Sequence, residues 1–201
     1  MGETNKLVAL IFKEAARTGV YDQRAEQGQG VAVSIAEPYL AMGALDEIEK
    51  KAKEADVEIK DAVIAFKTDE GRIKIRQTKD MTTGKGARRG GFWGLVVGFI
   101  LGGPVLGVLA GLGLGAIAGR RIDHGLDDEF ISKVSKSLKP RTSALLVLID
   151  EEHAEGAIAY LKSFNAEMHV SDISKEAEEA IDEVAGDEPV AQAVEAEFGA
   201  E

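Results

Sequence analysis

The chain has 201 residues, 45% of them hydrophobic, a formal net charge of −11 and a mean hydropathy of −0.07. A net charge of −11 opposes nonspecific binding to nucleic acid, so a nucleic-acid partner is not expected. It contains no cysteine, which excludes disulfides, thiol catalysis and cysteine-bound zinc.

Residues 1–30 are predicted to form an N-terminal extension and linker. The first residues lack a basic lead and a small-residue cleavage site, so we expect no signal peptide and a cytoplasmic body. The apolar run at 7–12 fits either a helix capped by Thr4 or a strand, and both remain open. Residues 23–30 are polar and contain glycine, as is typical of a linker.

The next part of the chain, residues 31–173, is predicted to be an α+β domain. Its expected elements are a strand (31–36), a helix (37–52), two strands (57–66 and 72–76), a helix from Asp127 or Asp128 to Leu138, and a strand (143–150). This β-α-β-β-α-β order is the plan of a ferredoxin-like sandwich. A C-terminal αβα extension is predicted to follow, with a helix (152–164), a strand (167–173) and an acidic helical tail (174–201).

A thirty-residue segment without any charge, residues 90–119, interrupts this domain between its third strand and second helix. Its glycines recur at intervals of four, which puts a bare row near one face of a helix and lets a second backbone approach closely. In an isolated helix in water each glycine would cost about 1 kcal/mol relative to alanine. The row therefore predicts a self-association surface with these residues: Gly90, Gly94, Gly98, Gly102, Gly107, Gly111, Gly115 and Gly119.

Gly102-Gly103-Pro104 divides the segment and predicts a turn between two helical arms, a glycine-zipper hairpin. Arms of roughly 12–16 residues would be about 18–24 Å long, short of the roughly 30 Å hydrocarbon core of a bilayer. One kinked, spanning helix is the alternative. Basic residues on both sides favour the hairpin with both ends in the cytoplasm. Insertion into a membrane and a buried core of a soluble oligomer both remain open.

The basic flanks and the aromatic pair at the entrance give a candidate lipid contact. Lys85, Arg88, Arg89, Arg120 and Arg121 could form a collar at headgroup level, and Trp93 beside Phe92 suits an interfacial anchor. The alternatives are a solvated neck for the basic residues and a core pair for the aromatic ones. A further hypothesis is that the acidic tail, with ten acidic residues and one lysine in 174–201, folds back and shields the neck.

Other polar groups predict no catalytic, metal or cofactor site. His124, His153 and His169 lack metal-ligand spacing, and each is better explained as a surface residue. Gly84-Lys85 is followed by glycine rather than Ser or Thr, so it is not a phosphate-binding loop. The paired carboxylates of the tail are typical of a solvated acidic face.

Several short sequences resemble a bacterial and archaeal family of about this length, catalogued as a membrane protein of unknown function. They are Lys74–Thr78, Gly91–Leu95, the Gly102-Gly103-Pro104 turn with Gly107, Gly125–Asp128 with Phe130-Ile131, and Leu138–Pro140 with Ser143–Leu145, in this order. The resemblance covers about Val31 to Ser174. It implies membrane association, assigns no enzyme activity and supplies no catalytic residue.

From the residues and the resemblance together, we expect a non-enzymatic, membrane-associated homo-oligomer that assembles through its glycine-zipper hairpins. It would lie at the cytoplasmic membrane with the α+β domain in the cytoplasm, and its partners would be further copies of itself and anionic lipid. No small-molecule substrate or cofactor is indicated. The alternative is a soluble cytoplasmic particle or ring in which the apolar hairpins form a buried core.

Overall fold

The computed structural model describes residues 4–13, 38–55, 59–68, 71–77, 86–101 and 126–198. The strands are β1 (Thr4–Lys13), β2 (Ile59–Lys67), β3 (Ile73–Gln77), β4 (Thr142–Asp150) and β5 (Glu167–Ser174). The helices are α1 (Tyr39–Ala55), α2 (Gly86–Leu101), α3 (Asp128–Ser137), α4 (Glu151–Leu161), α5 (Lys175–Ala185) and α6 (Glu188–Phe198). Within this described part the fold is mixed α and β.

One antiparallel sheet carries all five strands, in the order β3-β2-β4-β1-β5. β1 and β2 both run antiparallel to β4, which lies between them, and β4 and β5 both run antiparallel to β1. The two strands predicted at 57–66 and 72–76 are present as β2 and β3, which pair antiparallel. Between them, Gly71 has a φ of 82° and donates its N–H to the Thr68 carbonyl at 3.0 Å, which is backbone geometry suited to glycine.

The N-terminal strand β1 is an interior strand, with Leu7 opposite Leu148 of β4 and Ser171 of β5. Of the two structures left open for residues 7–12, the strand is the correct one. Residues 1–30 were predicted to be an extension that precedes the α+β domain. Thr4–Lys13 is instead an interior strand of its sheet. Its run of buried side chains is continuous because both faces of the sheet are covered.

The strand predicted at 167–173 is β5, and it pairs with β1 at the edge of the same sheet. β5 and the preceding helix α4 lie within the predicted domain bounds of 31–173, but they are part of its sheet and helix layer and not the start of an added C-terminal αβα extension. The strand predicted at 31–36 lies outside the described residues, as do the turn at 102–104 and the second glycine-rich arm.

Alternate residues along the inner strands point to opposite faces of the sheet, as the pleat requires. One face is formed by Val8, Leu10, Ala62, Ile64, Leu145 and Val147, and it packs against α1 and α4. The other is formed by Leu7, Ala9, Val63, Ala65, Leu146 and Leu148, and its core continues into α2, α3, α5 and α6. The glycine-rich helix α2 therefore belongs to the second face.

Two helix starts have the side-chain caps expected from the sequence. The Asp127 carboxylate accepts from the N–H of Glu129 at 2.9 Å, and the Ser174 hydroxyl accepts from the N–H of Ala177 at 3.1 Å. Each cap satisfies a backbone donor that has no partner within the helix. The second cap places α5 directly after the edge strand β5.

Candidate functional site

The described arm of the glycine-rich segment, α2, is buried within the chain itself. Phe92 through Gly98 and Ile100 are all buried, and Phe99 is half-buried. A helix that is apolar on every side is stable only when every side is covered. Here the sheet side chains and α3 cover part of its surface, and the acidic helices α5 and α6 cover the rest.

Gly94 is the point at which α6 comes closest to α2. A Cβ atom placed on Gly94 would lie 2.1 Å from Cγ1 of Val194 and 3.2 Å from its Cβ. No real Cβ contact is that short, so Val194 can occupy this position only because residue 94 has no side chain. The glycine row thus works as a helix-packing surface, and its partner in this structure is α6 of the same chain.

Trp93 is 1% exposed and its ring packs edge-on against Phe92, with ring centroids 5.2 Å apart and an interplanar angle of 85°. A headgroup anchor has to reach the surface, and Trp93 does not reach it in this structure. The pair matches the alternative given above, a core aromatic pair. Within the described part of the chain, the indole N–H of Trp93 is buried without an acceptor.

The acidic helix α5 is tied to the sheet by a polar contact as well as by apolar packing. Asn5 of β1 is 1% exposed, and its amide donates to the Glu178 carboxylate of α5 at 2.6 Å. Ile181, Val184 and three alanines of α5 complete its buried face. Glu178 is therefore not part of a purely solvated acidic face, although neighbouring Glu179 and Glu183 are exposed.

The remaining predicted contact residues are only partly covered by the structure. Gly94 and Gly98 are buried, and Gly90, Arg88 and Arg89 lie in the first half of α2. Lys85, Arg120 and Arg121 lie outside the described residues, together with Gly102, Gly107, Gly111, Gly115 and Gly119. Roles in self-association and lipid contact stay predictions for all of these residues.

None of the helices in the described ranges has the length and apolar character that crossing a bilayer requires. In the same part of the chain no three His, Asp or Glu side chains come together as a metal site. An apolar cavity of about 10 Å³ lies between Val97 and Ile100 of α2 and Ala65 and Ala144 of the sheet. It has room for about one water molecule, and its walls offer no polar partner to hold one.

The two described histidines lie away from α2. His169 of β5 pairs with Glu167 at 2.9 Å, and Glu167 also accepts from the Ser137 hydroxyl at 3.1 Å. His153 lies in the first turn of α4, and its Nδ1 is buried without a partner among the described residues. Neither arrangement brings a nucleophile, a base and a pocket together.

A protein-family model described as a protein of unknown function (DUF1269) matches residues 87–186. The chain is similar to that family. The match begins in the first turn of α2 and ends just after α5, so it spans the described glycine-rich helix and the inner strand β4. No curated protein and no solved structure matches the chain.

The residues of α6 that pack on α2 at Gly94 were not predicted from the sequence. Val190, Val194 and Phe198 are buried and recur at intervals of four, so they form one apolar stripe along the helix. That stripe was visible in the sequence beneath an Ala/Glu-rich composition. It matches in period the glycine row that it covers.

Proposed function

We propose that this chain is a non-enzymatic protein that assembles into homo-oligomers through its glycine-rich segment, residues 90–119. The observation that supports this best is the contact of Gly94 with Val194. It means that a glycine of the fourfold row accepts another helix at a distance that any side chain would prevent. A packing surface of this kind is the property on which the assembly proposal depends.

The second glycine run extends the argument beyond α2. Gly107, Gly111, Gly115 and Gly119 have the same spacing as Gly90, Gly94 and Gly98, and the stretch that contains them has no charge. The same geometry gives them the same capacity to accept a helix closely. A second copy of this chain is the partner that carries a matching surface by necessity, because identical faces meet in a two-fold interface.

The strand order supports a finer proposal for the fold, a ferredoxin-like sandwich with the glycine segment inserted. The order β5-β1-β4-β2, with β1-α1-β2 and β4-α4-β5 as two split βαβ units, is that plan. β3 is then an additional strand at the edge, and α2 follows it along the chain. In this proposal the insertion lies between the second and third strands of the sandwich.

Association with the cytoplasmic face of a membrane is a second candidate, with anionic lipid as the partner. Arg88 and Arg89 lie in the first turn of α2, which has no acidic residue. Cations are disfavoured at the positive end of a helix, so an anionic surface near this end would be stabilising. The family resemblance favours the same candidate. The burial of α2 inside the domain favours the soluble particle instead.

Glycine replacements in the second run test self-association at positions outside the described residues. We expect Gly111→Leu with Gly115→Leu to reduce the oligomer mass measured by light scattering after size exclusion. Leu114→Ile is the matched control, because it keeps an apolar side chain in the same run and leaves both glycines in place. Oligomers of unchanged mass in the double variant would contradict the role of the glycine row.

Flotation of detergent-free lysate on a density gradient separates the two candidates. A protein that rises with lipid and resists a high-salt, alkaline wash is membrane-inserted. A protein that stays in the soluble fraction and elutes as a large, defined particle is the soluble assembly. A protein that is soluble and monomeric at every concentration contradicts the proposed function in both forms.

A further inference from the structure

α6 packs against α2 at a distance that is possible only because Gly94 has no side chain. Val194 lies in the gap left by this glycine, with Val190 and Phe198 one turn to either side along the same stripe. The surface that the sequence marks for close helix packing is therefore already filled, by the chain's own α6.

α6 is attached to the rest of the domain differently from α5. α5 has a side-chain cap from Ser174 and a hydrogen bond between Glu178 and buried Asn5. For residues 188–196 of α6, the polar side-chain contact in the described structure is internal, from Gln192 to Glu188 at 3.3 Å. Its buried surface consists of a few apolar side chains, and the turn at Gly186-Asp187 joins it to α5.

The surface beneath α6 cannot remain bare in water. Removing α6 would expose Gly94 and its apolar neighbours as a contiguous patch on the part of α2, residues 92–100, that has no polar side chain other than the Trp93 indole. A second copy offers the same patch, and two glycine rows can approach backbone to backbone. The chemistry of the exposed surface therefore fits another copy of this chain.

The covered state also leaves one polar group of α2 unsatisfied. The indole N–H of Trp93, next to Gly94, is buried without an acceptor among the described residues. A buried donor without a partner is destabilising, and an arrangement that supplies an acceptor removes that cost. The packing of α6 on α2 is thus close at Gly94 but provides no acceptor, among the residues that the structure describes, for the Trp93 indole N–H.

We propose that α6 is a removable intramolecular plug, occupying the position on α2 at which a second copy docks during assembly. This inference rests on the proposed self-association and adds its regulation. The plugged chain is the monomer, and release of α6 makes α2 available. Because only the released fraction can associate, the apparent dissociation constant for assembly rises as the released fraction falls, in inverse proportion to it.

A reversible disulfide tests the plug directly, because the natural chain has no cysteine. Gly94→Cys combined with Val194→Cys removes the two γ carbons that crowd residue 94 and leaves the two Cβ positions 3.2 Å apart. That separation is a few tenths of an ångström below the usual range for disulfides, roughly 3.5–4.5 Å. Val194→Cys alone, treated with the same oxidant, is the matched control.

We expect the oxidised double variant to remain monomeric in light scattering at concentrations where the wild-type chain assembles. Reductant added to the same sample should restore assembly as far as a cysteine at position 94 allows, and reduced Gly94→Cys alone is the reference for the effect of that side chain. Equal assembly in the oxidised and reduced forms would overturn the plug and leave self-association standing. Failure of the intramolecular bond to form, or disulfide-linked dimers on a non-reducing gel, would also overturn it.

A charge placed beneath α6 provides the opposite test. Val194→Glu should release the helix, whereas Gln192→Glu adds the same charge on its exposed side. We expect Val194→Glu to assemble at a concentration about tenfold or more below that of Gln192→Glu, because the competent fraction rises. Equal association of the two variants overturns the plug. If the wild type, the reduced double variant and Val194→Glu are all monomeric, self-association itself is wrong.

The fluorescence of Trp93, the single tryptophan, shows whether Val194→Glu has released α6 or unfolded the domain. We expect a red shift and stronger acrylamide quenching in the unassembled variant, with the far-ultraviolet circular dichroism of the sheet retained. If that circular dichroism signal is lost, Val194→Glu has unfolded the domain. The comparison of the oxidised and reduced double cysteine variant, which share one sequence, then tests the plug.

Discussion

The two faces of the sheet are covered by helices of different character. On one face α1 and α4 each bury one side and expose the other, and their glycines, Gly43 and Gly156, have open space where a Cβ would lie. On the other face α2 is buried on every side, and its Gly94 has Val194 in that position. Glycine thus faces open space in the helices of one face and permits a close helix contact on the other.

This difference shows how the chain accommodates a helix whose residues 90–101 carry no charge. An amphipathic helix needs one layer of packing, whereas α2 needs the sheet below it and further helices above it. α5 and α6 supply the upper layer while presenting acidic side chains outward. The acidic C-terminal region is therefore a structural cover for α2, which is more specific than the solvated tail that its composition suggests.

Truncating the largest side chain of the crowded face should have the largest effect. We expect Trp93→Ala to lower the free energy of unfolding by about 3–5 kcal/mol, because it leaves a cavity between two layers. Leu40→Ala, at an exposed position of α1 on the other face, is the control and should change it by less than about 0.5 kcal/mol. Denaturant unfolding followed by circular dichroism measures both, and similar losses would contradict the contrast.

Removing the polar tie between β1 and α5 should have the next largest effect. Asn5→Ala leaves the partly buried Glu178 carboxylate without its donor, and we expect a loss of about 1.5–3 kcal/mol in unfolding free energy. Glu178→Gln keeps an acceptor oxygen facing Asn5 and should cost less. A larger loss for Glu178→Gln than for Asn5→Ala would mean that this hydrogen bond does not hold α5.

Adding a methyl group on the crowded face should be destabilising. Gly94→Ala forces Val194, and α6 with it, away from α2, and we expect a loss of about 1–3 kcal/mol, as for other overpacked cores. Gly94→Ala with Val194→Ala relieves the clash and should recover part of the loss. An unfolding midpoint equal to that of the wild type would show that α6 does not contact α2 at this position.

The same methyl group on the opposite face should be stabilising. Gly43→Ala and Gly156→Ala place it in open space within a helix, and we expect each to add about 0.5–1 kcal/mol through helix propensity. The two sites belong to different helices, so the effects should add. Destabilisation at either site would remove the contrast between the faces.

The smallest effect is expected on the outer surface of α3. The Glu129 carboxylate accepts a hydrogen bond from Lys133 at 2.8 Å, and this bond with its attraction raises the pKa of Lys133 above its ordinary value of 10.5. A raised pKa contributes stability below the unfolded-state pKa, and that contribution is lost as pH rises through the folded-state pKa. Both groups are exposed, so the contribution is small.

Glu129→Gln should lower the pKa of Lys133 and leave the thermal midpoint at pH 7 almost unchanged. NMR titration of the lysine side chain measures the first effect, and scanning calorimetry measures the second. Glu155→Gln, at an exposed position of α4, is the control and should not change the pKa of Lys133. A Lys133 titration unaffected by Glu129→Gln would contradict the ion pair.

Part of the fold was predictable because several of its elements have one solvent-exposed side or a side-chain cap at the helix start. The helix after Asp127, the helix after Ser174, and the strands at 57–66, 72–76, 143–150 and 167–173 all occur close to the predicted positions. Alternation, helical spacing and capping residues are local signals, and the two helices and the strand at 72–76 carry them. The strand at 143–150 lacks such a signal, because it is buried along almost its whole length.

The errors have a common physical origin in continuous apolar sequence. A strand covered on both faces, such as β1, has no polar side to reveal its period, so residues 7–12 fitted a helix equally well. Gly94 packs closely against a helix, but the self-association predicted for the glycine row stays a prediction, and the row did not reveal that α6 packs at Gly94. That information lay in the apolar stripe of α6, almost a hundred residues further along the chain.

The position of β1 has a consequence for how the molecule acquires its fold during synthesis. Both neighbours of this strand, β4 and β5, lie within residues 142–174, so Leu7 meets Leu148 only after most of the chain has been made. Until then an apolar segment of high strand propensity waits without a partner on the nascent polypeptide. Such long-range pairing slows folding and leaves unpaired strand edges open to aggregation. The interior strand β1 is therefore a segment that chaperone binding at the ribosome would protect from aggregation.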